Sequence, residues 1–136
     1  MKDVNPQRFV ERLSEELKKY DNIKPPQWST FIKTGVNVER PPQQKDWWYI
    51  RSAAILKNVY KNGPVGVQRL RTAFGGKRRL GYKPAHLKRA GGKIIRTMIQ
   101  QLEKEGFIIK VEKPKRGRII TKKGQSLLDK IERGMK

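Results

Sequence analysis

Apolar positions recur along this chain with two periods, and the changes between them divide it into elements. Over 5–20 (NPQRFVERLSEELKKY), Phe9, Val10, Leu13, Leu17 and Tyr20 form one stripe at helical spacing, with Arg8, Glu11, Arg12, Glu15, Glu16, Lys18 and Lys19 turned outward. Asn5 is placed to cap this helix, Pro6 suits its first position, and Val4 and Phe9 have the spacing of a hydrophobic staple. A short second helix is expected over 25–34, with Trp28, Phe31 and Ile32 inward and Gly35 as its stop. Residues 36–45, through Pro41-Pro42, read as loop. Over 46–61 (DWWYIRSAAILKNVYK) the pattern changes. Trp47, Trp48, Tyr49, Ile50, Ala53, Ala54, Ile55, Leu56, Val59 and Tyr60 cover nearly the whole circumference, which predicts a helix buried at the centre of the fold. Asp46 is its expected N-cap, and Asn62-Gly63-Pro64 its end.

A shorter helix is predicted over 64–74, with Val67, Leu70 and Phe74 inward and Gly75-Gly76 as its break. The stretch 75–93 (GGKRRLGYKPAHLKRAGGK) is too glycine-rich for a core element and is expected to be a loop with one turn of helix at 84–89, after Pro84. Helical spacing returns over 93–105, where Ile95, Met98, Ile99 and Leu102 share one face and Gly106 stops the run. At Phe107 the period drops to two. Phe107, Ile109 and Val111 alternate with Ile108, Lys110 and Glu112, 113–117 turns, and Arg118-Ile119-Ile120-Thr121 returns, so 107–121 is predicted to be a β-hairpin. A last helix is expected over 122–133, with Leu127, Leu128 and Ile131 inward. Two helices, a hairpin with a basic tip and a closing helix make a winged-helix unit. The expected fold is therefore mainly α: a helical bundle around the central helix 46–61, with a winged-helix-like part carrying one β-hairpin, 107–121. A chain of 136 residues makes one domain.

Charge sharpens this picture. The 33 Lys and Arg against 12 Asp and Glu give a net +21, far more than solubility requires, and imply a polyanionic partner. The excess is concentrated: residues 47–102 hold 13 Lys and Arg and no carboxylate. Solvated helix faces mix both signs, because opposite charges one turn apart stabilise them. Without Cys there is no disulfide framework and no thiolate chemistry. No apolar run approaches the ~18–20 residues of a membrane span, and the first residues (MKDVNPQRF) lack a signal-peptide core. The expectation is a soluble cytoplasmic protein with no membrane partner.

The candidate binding residues follow from that distribution. On the central helix Arg51, Asn58 and Lys61 fall on one narrow stripe, with Lys57 on its flank. The basic loop adds Lys77, Arg78, Arg79, Lys83, Lys88, Arg89 and Lys93, with Arg69, Arg71 and Arg96 in the helices on either side. Lys and Arg reach phosphate oxygens, and glycine lets the backbone come close to them. Tyr82 and His86 stand among these cations; they either stack on unpaired bases or pack the loop onto the core. At the hairpin tip, Lys113, Lys115, Arg116 and Arg118 either lie along a nucleic-acid backbone or keep the strand edge from aggregating. Nothing supports catalysis: there is no phosphate-binding glycine loop followed by Lys-Ser/Thr, a single His gives no nucleophile–base pair or metal site, and the basic region has no carboxylates for a metal-dependent nuclease. No cofactor is expected.

Trp47-x-Tyr49-x-Arg51-x-Ala53, then Gly63 to Gly66, Phe74-Gly75-Gly76, Gly81, Pro84-x-His86, and Arg96 to Leu102-Glu103, in that order and spacing, resemble one family. It is the archaeal and eukaryotic e-type small-subunit ribosomal protein family numbered nineteen, not the bacterial protein that shares the number. The resemblance runs from Asp3 to the final helix. It implies a structural constituent of the small ribosomal subunit that binds small-subunit ribosomal RNA in the head and helps that RNA mature. Neighbouring ribosomal proteins would be its other partners, and outside the ribosome it would be a monomer. The family's basic positions fall on Arg51 and Lys57 and on the loop 77–93. Lys57 stands where the family often has Arg, which would exchange a fork-shaped phosphate contact for a point charge. Gly92 stands where a Ser capping the next helix is expected, and the C-terminus at Lys136 looks more archaeal than eukaryotic. The alternative is a winged-helix DNA-binding transcription regulator, acting as a dimer, with Arg96, Gln100 and Gln101 of helix 93–105 reading bases. A free assembly factor that leaves the mature subunit is a third reading.

Overall fold

Helix α2, Trp47–Asn62, is the element on which the others pack. The structure, a computed structural model, describes residues 5–31, 46–80, 83–88, 90–112 and 116–135, with the backbone alone at 30, 31, 76–80 and 83–88. The Trp48, Ala53, Ile55, Leu56 and Val59 side chains of α2 are buried, and most of its other residues are half-covered, as expected for a helix apolar on nearly all sides. Gly63 ends it at φ 73, donating its N–H to the Val59 carbonyl at 3.2 Å. One call at this helix is corrected. The Asp46 side chain makes no cap hydrogen bond; its carboxylate lies 3.3 Å from Lys18 Nζ, tying the start of α2 to the end of α1.

Helix α1, Pro6–Leu17, starts as its sequence dictates, with the Asn5 side chain accepting from the Gln7 N–H at 3.0 Å and Pro6 in the first turn. It buries Phe9, Leu13 and Leu17 against α2. It ends before the expected Tyr20, because the chain turns there to set the Tyr20 ring edge-on to Phe107, 5.1 Å between centroids. Val4, the other half of the expected staple, lies outside the described residues. The expected second helix is a 3-10 turn, Gln27–Phe31, opened by the Pro26 carbonyl, which accepts both the N–H (3.0 Å) and the hydroxyl (2.6 Å) of Ser29. Ile32, Gly35 and the loop through Pro41-Pro42 lie outside the described residues.

Helix α3, Val67–Ala73, and helix α4, Gly92–Lys104, pack on each other and form the helical pair of the winged-helix part. Ile94, Ile95, Met98, Ile99 and Leu102 of α4 face the core, which contains the four positions its periodicity predicted. Between the two helices the structure overturns an expectation. Of the expected helical turn at 84–89, residues 84–88 are strand instead: β1, Gly76–Leu80, and β2, Lys83–Lys88, pair antiparallel with Lys77 opposite Leu87 and Arg78 opposite His86. The register shifts between Arg78 and Leu80, so β2 carries an extra residue around Pro84-Ala85. A bulge is where a strand tolerates proline, which has no N–H to give the ladder. Pro84 by itself suits the start of a helix; pairing with the preceding strand decided otherwise.

Strands β3, Ile108–Val111, and β4, Gly117–Ile120, form the expected second hairpin, with Ile108 opposite Ile120 and Lys110 opposite Arg118. The free edge of β4 is bonded to Val65, which exchanges both backbone bonds with Arg118 at 3.2 and 2.9 Å. That close pairing requires glycine at 117: its φ is 149, and a Cβ there would sit 2.7 Å from the Val65 nitrogen. The simple alternation read from 107 onward does not hold, because Phe107 and Ile108 are both buried while Ile109 is 52% exposed. Phe107 precedes the strand and turns into the core beneath Tyr20. Thr121 then starts helix α5, Lys122–Met135, accepting from the Gly124 N–H and donating to the Gly106 carbonyl. Leu127, Leu128 and Ile131 close the core, and α5 rests on α1 and β4. The architecture is thus the mainly helical, winged-helix-like one expected, with an additional hairpin inserted between α3 and α4.

Two substitutions test this packing. Ser52 is fully buried on α2 and its hydroxyl has no hydrogen-bond partner. Ser52→Ala is expected to raise stability by about 1 kcal/mol, since an unsatisfied buried hydroxyl is removed at little cost in volume. Gly117→Ala is expected to cost about 2–3 kcal/mol, through strain at positive φ and the clash with Val65. Thermal unfolding of the two variants beside the parent chain checks both signs.

Candidate nucleic-acid interface

Because α2 is covered on most sides, its polar residues emerge along one edge. Ser52 stays inside, and of the charged residues Arg51 is the most deeply set. Its guanidinium carbon lies 4.7 Å from the centroid of the Phe74 ring, at the end of α3, and its NH1 is buried with no hydrogen-bond partner. Burial pulls the guanidinium below the ordinary arginine range. Six residues on, Lys57 is pulled below the ordinary lysine range, first by burial and then by repulsion from Lys61. Lys61 is exposed in the last turn of α2, where a cation faces the negative end of the helix dipole. Asn58 on the same stripe accepts from Asn62 Nδ2 at 3.0 Å. The resulting site holds a desolvated guanidinium and two mutually repelling ammonium groups, in a segment with no carboxylate of its own. Chemically it is a receptor for anions.

The inserted hairpin leaves α3 next to Phe74, the ring beneath Arg51, and returns to that helix at Ala90. It carries Lys77, Arg78 and Arg79 on β1 and Lys83, His86 and Lys88 on β2, so the structure gathers as a paired ribbon what the sequence presented as a loop. Arg89 and Tyr82 lie outside the described residues. Arg69 projects from α3 into solvent, whereas Arg71 is half-buried, with Nε donating to the Ala90 carbonyl at 2.9 Å and NH1 3.4 Å from Gln68 Oε1. On α4, Arg96 is exposed, and the Lys93 ammonium lies 4.7 Å from the Trp28 ring centroid. In the second hairpin Arg116 is exposed, but Arg118 turns back onto α4, its Nε 2.9 Å from Glu103 Oε1. Lys113 and Lys115 lie outside the described residues.

Three contributors were not read from the sequence. Phe74 was assigned to the core, yet it also forms the platform under Arg51. Trp28 stacks edge-on with Trp48 at 5.9 Å while taking the Lys93 cation. Gln101 accepts from Trp48 Nε1 at 2.9 Å and donates to the Lys24 carbonyl at 2.8 Å. A signal for Gln101 did exist: a buried indole N–H needs an acceptor, and Trp48 lay in the most buried helix. Among the described residues no group of His, Asp and Glu could hold a metal ion, and no helix is long and apolar enough to cross a membrane.

These features define a class: a small, strongly basic helical protein with a winged-helix-like part, built around a largely buried central helix that carries cations along one edge. More specifically, the chain belongs to the ribosomal protein S19e family, whose model matches residues 1–136. It is 46% identical over 127 residues to the small ribosomal subunit protein eS19 of Aeropyrum pernix, covering 92% of this chain and 82% of that one. The eS19 of Haloarcula marismortui is 43% identical over 131 residues (93% and 84%), and that of Oryza sativa 40% identical over 131 residues (96% and 88%). The family is one of ribosomal proteins, not of enzymes. The resemblance read from the motif order is thereby confirmed.

The charge coupling along α2 is directly measurable. Lys61→Gln removes the repulsion that disfavours a proton on Lys57, so the Lys57 pKa is expected to rise while burial still holds it below the ordinary lysine range. An NMR titration of the lysine side-chain nitrogens checks the direction.

Proposed function

We propose that this chain is a structural constituent of the small ribosomal subunit in the cytoplasm and that α2 and the inserted hairpin grip ribosomal RNA through its phosphates. The observation that carries the reading is Arg51. Arg51 is half-buried, but its NH1 is buried without a hydrogen-bond partner, which costs about 1–3 kcal/mol, and the Phe74 ring beneath offers no acceptor lone pair to meet that N–H. A phosphate oxygen delivered to NH1 would supply the missing charge and hydrogen bond together. Lys57 and Lys61 extend the contact along α2 as point charges, and Arg69, Arg96, Lys93 and the cations of β1 and β2 widen it. Specificity then comes from the shape of folded RNA rather than from base reading. The whole chain acts as one RNA-binding domain, monomeric outside the ribosome, with neighbouring ribosomal proteins on its carboxylate-bearing sides. Placement in the head of the subunit and a part in maturing its RNA follow from the family resemblance. The tip of the second hairpin, through Arg116 and the residues beside it, provides a weaker backbone contact.

The DNA-regulator reading loses ground on α4, the helix that would enter a major groove. Gln101 is spent on Trp48 and Lys24, and Lys93 lies over Trp28, so the segment 24–28 runs along the helix and covers one flank of it.

Arg51→Met is the decisive variant, because it removes the charge and keeps the apolar volume over Phe74. The free protein is expected to gain about 1–4 kcal/mol, as when buried ions are replaced by apolar groups. At the same time the variant is expected to fall away from small subunits in high-salt sucrose gradients. A variant that remains with mature subunits as firmly as the parent overturns the role of Arg51. A parent chain found only on precursor particles would make the protein an assembly factor. One that sediments free as a dimer would restore the DNA reading.

A further inference from the structure

Arg69 and Arg71 lie on the same short helix and read alike in sequence, but the structure separates them. Arg69 is exposed. Arg71 is occupied at both ends of its residue: its backbone carbonyl accepts the Ala90 N–H at 2.8 Å, and its own Nε donates to the Ala90 carbonyl at 2.9 Å. The two bonds run in opposite directions and satisfy both backbone polar groups of Ala90, which is 2% exposed and has no water to turn to. The arm of Arg71 also crosses the start of α4. A Cβ built on Gly92 would lie 3.3 Å from Arg71 Cδ, so the absence of a side chain at 92 makes room for it. This gives Gly92 a structural reason, since α4 begins at Gly91 with no side-chain cap.

Ala90 is the exit foot of the β1–β2 hairpin. Its entry foot is fastened to the same helix, where Phe74 donates to the Leu70 carbonyl at 3.0 Å and Gly75 to that of Thr72 at 3.3 Å. Both ends of the hairpin are therefore held by α3, and α3 also ends in Phe74, the ring beneath Arg51. We propose that Arg71 is a positioning residue: it anchors the exit of the basic hairpin so that its cations stand in fixed register with Arg51, and it does not itself contact RNA. This rests on the RNA-binding reading above for its functional consequence, though not for the anchor itself. Lysine cannot replace arginine in this role, because the bond comes from Nε, partway along the arm, where lysine has only a methylene.

The test compares the full-length Arg71→Lys, Arg71→Ala, Arg69→Lys and Arg69→Ala variants. The readouts are amide hydrogen exchange in the free protein and affinity for purified small-subunit ribosomal RNA. For an anchor, Arg71→Lys behaves like Arg71→Ala. In both, Ala90 and the amides of 76–88 exchange roughly tenfold faster, about what one lost hydrogen bond releases, while α1 and α2 are unchanged. Both also lose RNA affinity to a similar degree despite the retained charge of lysine. The Arg69 pair shows the opposite pattern, with exchange unchanged and affinity lowered only when the charge is removed. If Arg71→Lys keeps the parent affinity while Arg71→Ala loses it, charge alone matters and the proposal fails. It also fails if hairpin exchange is unmoved in Arg71→Ala. Should the parent chain not bind the RNA, the functional reading falls, and the exchange data alone decide whether Arg71 is the anchor.

Discussion

Burial of α2 on nearly all sides leaves one edge along which a charged side chain can reach the surface, and Arg51 stands partway out along it. The guanidinium is held over Phe74 with one nitrogen buried and unpartnered. Moving it outward would uncover the ring, and moving it inward would bury more charge. Its position is therefore fixed by the packing of the core rather than by any counter-charge. The remaining cationic features are referred to this point. Lys57 and Lys61 follow along the same helix, and Phe74 ends the helix that roots the hairpin.

The distribution of carboxylates explains why such an arrangement persists. Among the described residues, the ion pairs join Lys18 to Asp46, Lys19 to Glu16 and Arg118 to Glu103, using carboxylates from the two ends of the chain. None reaches Arg51, Lys57 or Lys61. Lys57 is held below the ordinary lysine range first by burial and then by repulsion from Lys61, with no carboxylate among the described residues to offset either. On the proposed reading, a bound polyanion would relieve that repulsion, and affinity and salt dependence would arise from repulsion already present in the isolated fold.

The winged-helix frame is used in an unusual way. The helix that reads base edges in DNA-binding proteins of winged-helix architecture is here tied through Gln101 to Trp48 and to Lys24. The second hairpin is bonded to Val65 on one edge and pinned to α4 by Arg118. What would be mobile or exposed in a DNA reader is built into the scaffold. The charge moves instead to the hairpin inserted between α3 and α4, whose feet are both fastened to α3.

Much of this was determined by local sequence. The cap at Asn5, the stop at Gly63, the apolar faces of α1, α4 and α5, the hairpin over 107–121 and the carboxylate-free middle of the chain all follow from neighbours within a few residues or from simple counting. The order of motifs was enough to indicate the family. Tertiary structure decided the rest. Pro84 suits the start of a helix until residues 76–80 offer a pairing edge. Asp46 suits a cap until Lys18 comes within 3.3 Å. Arg69 and Arg71 are indistinguishable until Ala90, far along the chain, meets only one of them. In each case a local preference worth about a kcal/mol or less was outweighed by a partner outside the element itself, the adjacent strand for Pro84 and residues 19 to 28 positions away for Arg71 and Asp46, which no periodicity can reveal.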